Sequence, residues 1–166
     1  MFLKANHFIL SRLKNYMIEE KSRHRTTTYT FGKYKVVIKS IPPPKDSLAQ
    51  SFCIATLKVG KNSAWEWRFH HTDDHCGLDD LHDCGLTTPN TRKAAQELDF
   101  LLHCLERYAN KIGIKTANVR THPRFGRFMS KRGWKPSKVN PTCVDAKKSL
   151  SPKRNRLPSI MTGHKR

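Results

Sequence analysis

One segment restricts the fold more than any other, because it predicts a long helix with a single apolar side. Between about residues 91 and 112, apolar side chains recur at steps of three and four, which is the period of a helix that buries one face. They are Leu98, Leu101, Leu102, Leu105, Tyr108, Ala109 and Ile112. Pro89 suits a first helical turn, and Gly113 can adopt the left-handed conformation that ends a helix. The sequence therefore predicts a capped amphipathic helix here.

The residues before this helix predict strands. The run "YTFGKYKVVIKSI" at 29–41 alternates bulky and polar side chains, and three consecutive prolines then end it. Next, "SFCIATLKV" and "AWEWRFH" are rich in β-branched and aromatic residues, with the turn-forming "GKNS" between them. Residues 51–70 are therefore predicted to form an antiparallel hairpin. The polar stretch that follows, up to the long helix, has no sustained period and is interpreted as a loop or an insertion.

The two ends of the chain have different predictions. At the start, residues 1–25 have apolar side chains at helical spacing and predict an amphipathic helix. After Gly113, "KTANVRT" predicts a strand, and Pro123 can begin a short helix that Gly133 ends. From about residue 146 the chain is rich in Lys, Arg, Ser and Pro, a composition typical of a mobile tail.

This order of elements, closing in "RFMSKRGWK" at Arg127 to Lys135, resembles the Gcn5-related N-acetyltransferase (GNAT) family. In that family the short helix typically closes in an aromatic, two or three polar residues, Gly and an aromatic. The resemblance covers roughly residues 29–140 and implies an α/β fold with a mixed sheet. The chain is accordingly divided into an N-terminal helical segment (1–28), a GNAT-like domain (29–140) and a basic flexible tail (141–166).

The resemblance implies acetyl-CoA as the cofactor and an amine as the acyl acceptor. The family's fourth and fifth strands splay apart to admit pantetheine, and "AWEWRFHH" and "KTANVRT" take those places here. The pyrophosphate would lie at the start of the long helix, where backbone N–H groups are unpaired. The residues of this cradle are Thr91, Arg92, Lys93, Ala94 and Ala95.

The sequence departs from the family pattern in three ways. The phosphate loop "TTPNTRKAA" contains no glycine, so close approach of the backbone to a phosphate is harder. Met129 stands where many members have a tyrosine that acts as general acid. No final hairpin is predicted after Trp134. These departures leave open a degenerate member that keeps the fold without CoA chemistry.

Acylation of an amine needs a base, and three residues are candidates. Glu66 is the first, because it lies on the strand that resembles the family's fourth and is flanked by Trp65 and Trp67, whose bulk could raise its pKa. Alternatively, Glu66 faces solvent on an alternating strand. His70 and His122 are the other two candidates, and His122 could instead cap the helix that begins at Pro123.

The polar stretch after the hairpin is dense in His, Cys and Asp. Four zinc ligands could come from His71, either His75 or Cys76, His82 and Cys84. However, their spacing matches no standard finger, so zinc is the less favoured interpretation and a solvated acidic loop the alternative.

Charge is unevenly distributed along the chain. The formal net charge is +19, and residues 113–166 carry 15 basic side chains against one acidic. Such an excess favours nucleic acid or an acidic protein surface as a partner. The candidate nucleic-acid-binding residues are Arg124, Arg127, Lys131, Arg132, Lys153, Arg154 and Arg156. Three aromatic residues, Phe125, Phe128 and Trp134, alternate with the first four of these in the sequence. They are better interpreted as core residues, because their spacing is helical.

No segment has the roughly 20 apolar residues that span a bilayer, and no cleavage site follows the opening residues. A cytoplasmic or nucleoprotein-associated location is therefore expected, without secretion or a membrane partner, and the five cysteines are expected to be reduced. Three functions remain open: an acyltransferase, a non-enzymatic nucleic-acid-binding or nucleoprotein structural protein that retains the fold, and a metal-stabilised binding module.

Overall fold

The computed structural model describes residues 17–43, 45 and 51–150. Neither helix within these residues is long and apolar enough to cross a membrane. The predicted residues 1–16 of the N-terminal helix lie outside the described residues, as do Lys153, Arg154 and Arg156.

The described residues form one mixed sheet of nine strands and two helices. The strands are β1 (Glu19–Arg23), β2 (Thr26–Phe31), β3 (Tyr34–Ile41), β4 (Ser51–Val59), β5 (Asn62–His71), β6 (His75–Asp83), β7 (Thr116–Thr121), β8 (Lys135–Val139) and β9 (Val144–Ser149). The helices are α1 (Arg92–Lys111) and α2 (Pro123–Lys131). The strand order is β1-β2-β3-β4-β5-β6-β7-β9-β8. The predicted mixed sheet is confirmed.

Both described helices pack on the same face of this sheet, which we call the helix face. Trp65, Trp67 and Phe69 alternate along β5 and so point to one side. Trp65 and Phe69 contact α1, and Trp67 contacts α2. The other side, which carries Glu66, Arg68 and His70, we call the open face. Within the described ranges no helix covers it.

The long helix buries the apolar stripe that its period predicted. Phe100, Leu101, Leu102 and Cys104 have no measurable exposure, and the helix begins at Thr91 as N-cap. Its buried side also carries charge, since Glu106 accepts a hydrogen bond from the Trp134 indole and pairs with Lys148 at 2.9 Å. The helix is therefore fixed to the sheet by polar as well as apolar contacts.

Two predictions in the N-terminal part are wrong. Residues 19–23 form β1 rather than the end of a helix, because they pair with β2 in an antiparallel ladder. The predicted single strand at 29–41 is a hairpin, β2 and β3, which turns at Gly32 with a φ of 56°. That left-handed conformation favours glycine. The β4–β5 hairpin at 51–71 is confirmed.

The stretch interpreted as a polar loop contains strand β6. Cys76, Leu78 and Leu81 point to the helix face and contact the core, while His75, Asp79 and His82 point to the open face. A bulge between Leu78 and Leu81 inserts one extra residue opposite β5 and interrupts the alternation of side chains. The two-residue period of a strand is therefore not visible in the sequence, which is why β6 was not predicted.

The final hairpin missing from the prediction is present as β8 and β9. Strand β9 lies between β7 and β8, and it buries Val144 and Ala146. The flexible tail placed at 141–166 is therefore wrong up to residue 149. The basic composition predicted a solvated tail, but the Lys148 ammonium donates hydrogen bonds to the buried carboxylate of Glu106.

Candidate active site

Strands β6 and β7 separate at the centre of the sheet. Among the described strands they are the one parallel pair, and their ladder runs from His75 and Thr116 to Leu78 and Val119. Beyond that point β6 continues beside β5 and β7 continues beside β9. A cleft therefore opens between their carboxyl ends, where helices α1 and α2 follow. Open α/β sheets bind ligands at such points.

The first turn of α1 provides two backbone donors at this end of the sheet. Thr91 caps the helix, and its hydroxyl accepts a hydrogen bond from the Ala94 amide at 3.1 Å. The Ala95 amide donates to the Thr91 carbonyl. The amides of Arg92 and Lys93 have no intrahelical acceptor, and their side chains are exposed. Of the five residues predicted to form the cradle, Arg92 and Lys93 therefore offer an anion both a backbone N–H group and a cationic side chain.

The loop that leads into α1 makes its turn without the family's glycines. Asn90 has a φ of 61° directly before the N-cap, in the left-handed region that asparagine tolerates better than most residues. The missing glycine therefore does not prevent the backbone from turning into the helix.

A histidine and an aspartate meet beside the cleft on the open face. The Nδ1 atom of His70 lies 2.7 Å from Oδ2 of Asp79. The imidazole lies over Gly77, where an added Cβ would come within 2.4 Å of the ring. Gly77 pairs with His70 on one side and with Asn118 of β7 on the other, one position before the strands part. The ring therefore lies at the mouth of the cleft.

The other two base candidates have different surroundings. Glu66 is also on the open face, where it pairs with Arg68 at 3.4 Å and lies opposite His82 in the ladder. It is on the half of β5 away from the Gly77 position. His122 is the N-cap of α2, and its Nδ1 accepts a hydrogen bond from the Arg124 amide at 3.3 Å. Capping thus uses the lone pair that catalysis would need on that nitrogen.

The proposed zinc ligands do not come together. His71 lies on the helix-face side of β5, whereas His75 and His82 point from β6 to the open face, and Cys84 follows that strand. The described residues contain no group of three or more His, Cys, Asp or Glu side chains that could hold a metal ion. The zinc prediction is therefore not supported.

The cysteine nearest the cleft is a core residue. Cys76 lies on the helix face and is 2% exposed. Burial is the main cause that raises the pKa of its thiol to about 12. The thiol therefore stays protonated at neutral pH and is a poor nucleophile.

The cationic candidates of the C-terminal part divide into exposed and buried ones. Arg124, Arg127 and Lys131 are exposed on α2 at spacings of three and four, so they form one outward stripe. Arg132 was also predicted to bind nucleic acid, but it forms a buried ion pair with Asp99 of α1. This ion pair ties the end of α2 to α1, so Arg132 is not part of the outward stripe.

Comparison with known proteins identifies the fold. No protein-family model matches the sequence, and no curated protein matches it. Among solved structures, a putative acetyltransferase from Sphaerobacter thermophilus has a TM-score of 0.53 at 7% identity, covering 76% of this chain and 99% of that one. An aminoglycoside 6'-acetyltransferase of type Ii has a TM-score of 0.50 at 16% identity, covering 61% of this chain and 70% of that one. The chain has the GNAT fold.

The GNAT fold corrects one strand assignment made from the sequence. The strand before the long helix is β6, at 75–83, and not "AWEWRFHH", which is β5. The pair that parts is therefore β6 and β7, and "KTANVRT" was placed correctly as the second of the two. Asp79 and Gly77 were missed for the same reason. Recognising a hairpin turn at 72–74 would have placed Gly77 opposite His70 and Asp79 two residues further along the same strand.

Proposed function

We propose that this protein transfers an acyl group from acyl-CoA to an amine in the cleft between β6 and β7. The observation that carries this proposal is the separation of the two strands beyond Leu78 and Val119, at the point where both helices begin. The GNAT fold supports the same site. Acyl-CoA would supply the acyl group as a thioester, a form from which an amine can displace the thiol.

The residues at the cleft suit the parts of this substrate. The amides and side chains of Arg92 and Lys93 would bind the pyrophosphate, since a helix N-terminus attracts anions. The pantetheine arm would enter between the strands. The bulge around Asp79 and Asp80 leaves backbone out of the ladder at the mouth of the cleft, where an N–H could stabilise a developing oxyanion.

His70 is the base that this arrangement favours. A proton on Nδ1 would be shared with Asp79, which leaves the lone pair of Nε2 for the acceptor amine. The amine nitrogen would form a bond to the acyl carbon as the thioester bond breaks, and His70 would take the amine's proton. Asp79 would act as a positioning residue that holds the ring and its tautomer.

The direct test is calorimetric titration of acetyl-CoA into the purified chain at two salt concentrations. Desulfo-CoA and 3',5'-ADP are the controls, because a net charge of +19 attracts any nucleotide. Saturable one-to-one binding that survives high salt supports the proposal. Binding that disappears with salt, or that 3',5'-ADP reproduces fully, contradicts it.

The double variant Arg92→Gln and Lys93→Gln tests the position of the pyrophosphate. It retains both backbone amides and removes two cations, so we expect the Kd of acetyl-CoA to rise roughly 10-fold. Lys35→Gln with Lys39→Gln is the matched control, since it removes two exposed lysines of β3 on the open face. Equal losses in the two double variants would show that only overall charge matters and would contradict this placement.

Binding of nucleic acid is a second function that a specific observation favours. The stripe of Arg124, Arg127 and Lys131 extends about 10 Å along α2 at 1.5 Å per residue. Lys135 and Lys138 continue the exposed cations along the edge strand β8. Asp145 is the one acidic residue in the described chain beyond Gly113, and it is already paired with Arg120 at 2.7 Å. This surface would contact the phosphate backbone beside the cleft.

The triple variant Arg124→Gln, Arg127→Gln and Lys131→Gln tests this surface. Binding to a single-stranded oligonucleotide is measured by fluorescence anisotropy over a range of salt. We expect the slope of log Kobs against log salt to fall in magnitude by about 2, since each lost phosphate contact contributes about 0.7. Lys35→Gln, Lys39→Gln and Lys61→Gln is the control of equal charge. An unchanged slope in the first variant would rule out this stripe as the interface.

A further inference from the structure

Two of the three tryptophans have a carboxylate partner and the third has none. The indole N–H of Trp65 donates to Glu97 at 2.8 Å, and that of Trp134 donates to Glu106 at 3.0 Å. Trp67 is 1% exposed, yet its N–H has no hydrogen-bond partner among the described residues. A buried donor without an acceptor is uncommon in proteins and calls for an explanation.

The position of Trp67 in the sheet explains why its N–H lacks a partner within the described part of the chain. Its ring points from β5 to the helix face, opposite Leu81 of β6, beyond the bulge and therefore beyond the point where β6 leaves β7. It meets Phe125 of α2 edge to face, with 5.9 Å between ring centroids. Helix α2 follows β7, so this contact places the Trp67 ring on the helix face beside the gap between the parted strands.

A phenylalanine at position 67 would fill most of the space of the Trp67 ring without burying a polar atom. An indole N–H is a donor only, so it can be satisfied by an oxygen acceptor but not by a cation or another N–H. A charged phosphate oxygen is a poor occupant of a site this buried, because its desolvation is costly. A neutral carbonyl oxygen is the acceptor that this environment suits.

We propose that the Trp67 indole N–H donates a hydrogen bond to a carbonyl oxygen of acyl-CoA, in the pantetheine arm or the thioester. The inference rests on the proposed function, because it places that arm between β6 and β7. Trp67 would act as a binding residue that fixes how far the arm enters the cleft. Trp65 and Trp134, whose donors are already occupied, would not.

The test compares Trp67→Phe with Trp65→Phe by titration with acetyl-CoA and with CoA. We expect Trp67→Phe to raise the Kd of acetyl-CoA about 10-fold, the effect of one lost hydrogen bond, with a small change in thermal stability. A loss for both ligands assigns the acceptor to pantetheine, and a loss for acetyl-CoA alone assigns it to the thioester. Trp65→Phe should lower stability, because Glu97 loses its donor, and leave the Kd unchanged.

A measurement on the unaltered chain does not depend on the variant folding. In a nitrogen-15 correlation spectrum the indole signals of Trp65 and Trp134 are assigned from their Phe variants, which leaves that of Trp67. Acetyl-CoA should move the Trp67 proton downfield and the other two little. Binding by the unaltered chain with no such shift, or with equal affinity in Trp67→Phe, overturns this inference alone. Absence of binding by the unaltered chain overturns it together with the proposed function.

Discussion

Replacing His70 with glutamine is expected to lower kcat for acyl transfer by about 10²- to 10⁴-fold, the usual contribution of a general base. The KM for acetyl-CoA should change little, because the imidazole lies on the open face and would contact the amine rather than the pantetheine. The measurement is release of CoA thiol with the best acceptor from a panel of amines. Glutamine keeps a polar side chain of similar length, so loss of activity reports the loss of the base.

Three companion variants separate this role from its alternatives. Gly77→Ala should lower kcat to a similar extent, since its Cβ would come within 2.4 to 2.6 Å of two imidazole atoms and displace the ring. Asp79→Asn should give a smaller loss, because the ring loses its orienting carboxylate but not its basic nitrogen. Glu66→Gln is the control on the same face. A large loss there together with an active His70→Gln would make Glu66 the base instead.

Replacing Lys148 with methionine is expected to destabilise the fold by about 3 to 5 kcal/mol at neutral pH, as for a buried ion pair that loses one partner. The Lys148 ammonium lies 2.9 Å from the Glu106 carboxylate, and the two side chains are 18% and 4% exposed. Methionine preserves most of the volume, so the loss would report the uncompensated charge. The free energy of unfolding is measured by urea denaturation.

The pH dependence gives the sign of this effect. Burial already raises the pKa of Glu106 above its usual range, and Lys148 acts against that rise. Without Lys148 the pKa of Glu106 in the folded state rises further. As the pH falls through that raised value, Glu106 becomes neutral and the variant no longer has an unpaired buried charge. The destabilisation should therefore be greatest at neutral pH and shrink towards pH 4.5. A constant loss across this range would show that packing rather than charge was removed.

Arg120→Met is the matched control for this variant. It breaks an ion pair with Asp145 whose arginine side chain is 73% exposed. The Arg120 guanidinium lowers the pKa of Asp145, but solvent screens an exposed pair. We expect a much smaller change in stability than for Lys148→Met. Comparable losses in the free energy of unfolding would mean that burial does not decide how much each ion pair contributes to stability.

Local pattern was sufficient for some elements of the fold. The apolar period from Leu98 to Ala109 and the end signal at Gly113 correctly predicted α1, although Pro89 lies before the N-cap rather than in the first turn. The turn "GKNS" correctly predicted the β4–β5 hairpin. Pattern failed for β6, where the bulge interrupts the alternation, and for β9, where Lys148 resembles a solvated residue. The first failure comes from the bulge, and the second arises because the partner of Lys148, Glu106, lies 42 residues earlier in the sequence.

The sequence by itself determined α1, α2, the β4–β5 hairpin, the GNAT resemblance and the distribution of charge, because these can be recognised from residues that are near one another in the chain. Only the tertiary structure decided which strands part and which side chains meet there. His70 meets Asp79 through the pairing of β5 with β6, and Trp67 meets Phe125 through the packing of α2 on the helix face. Register and bulges fix such contacts, and they follow from packing of the whole sheet rather than from any local pattern.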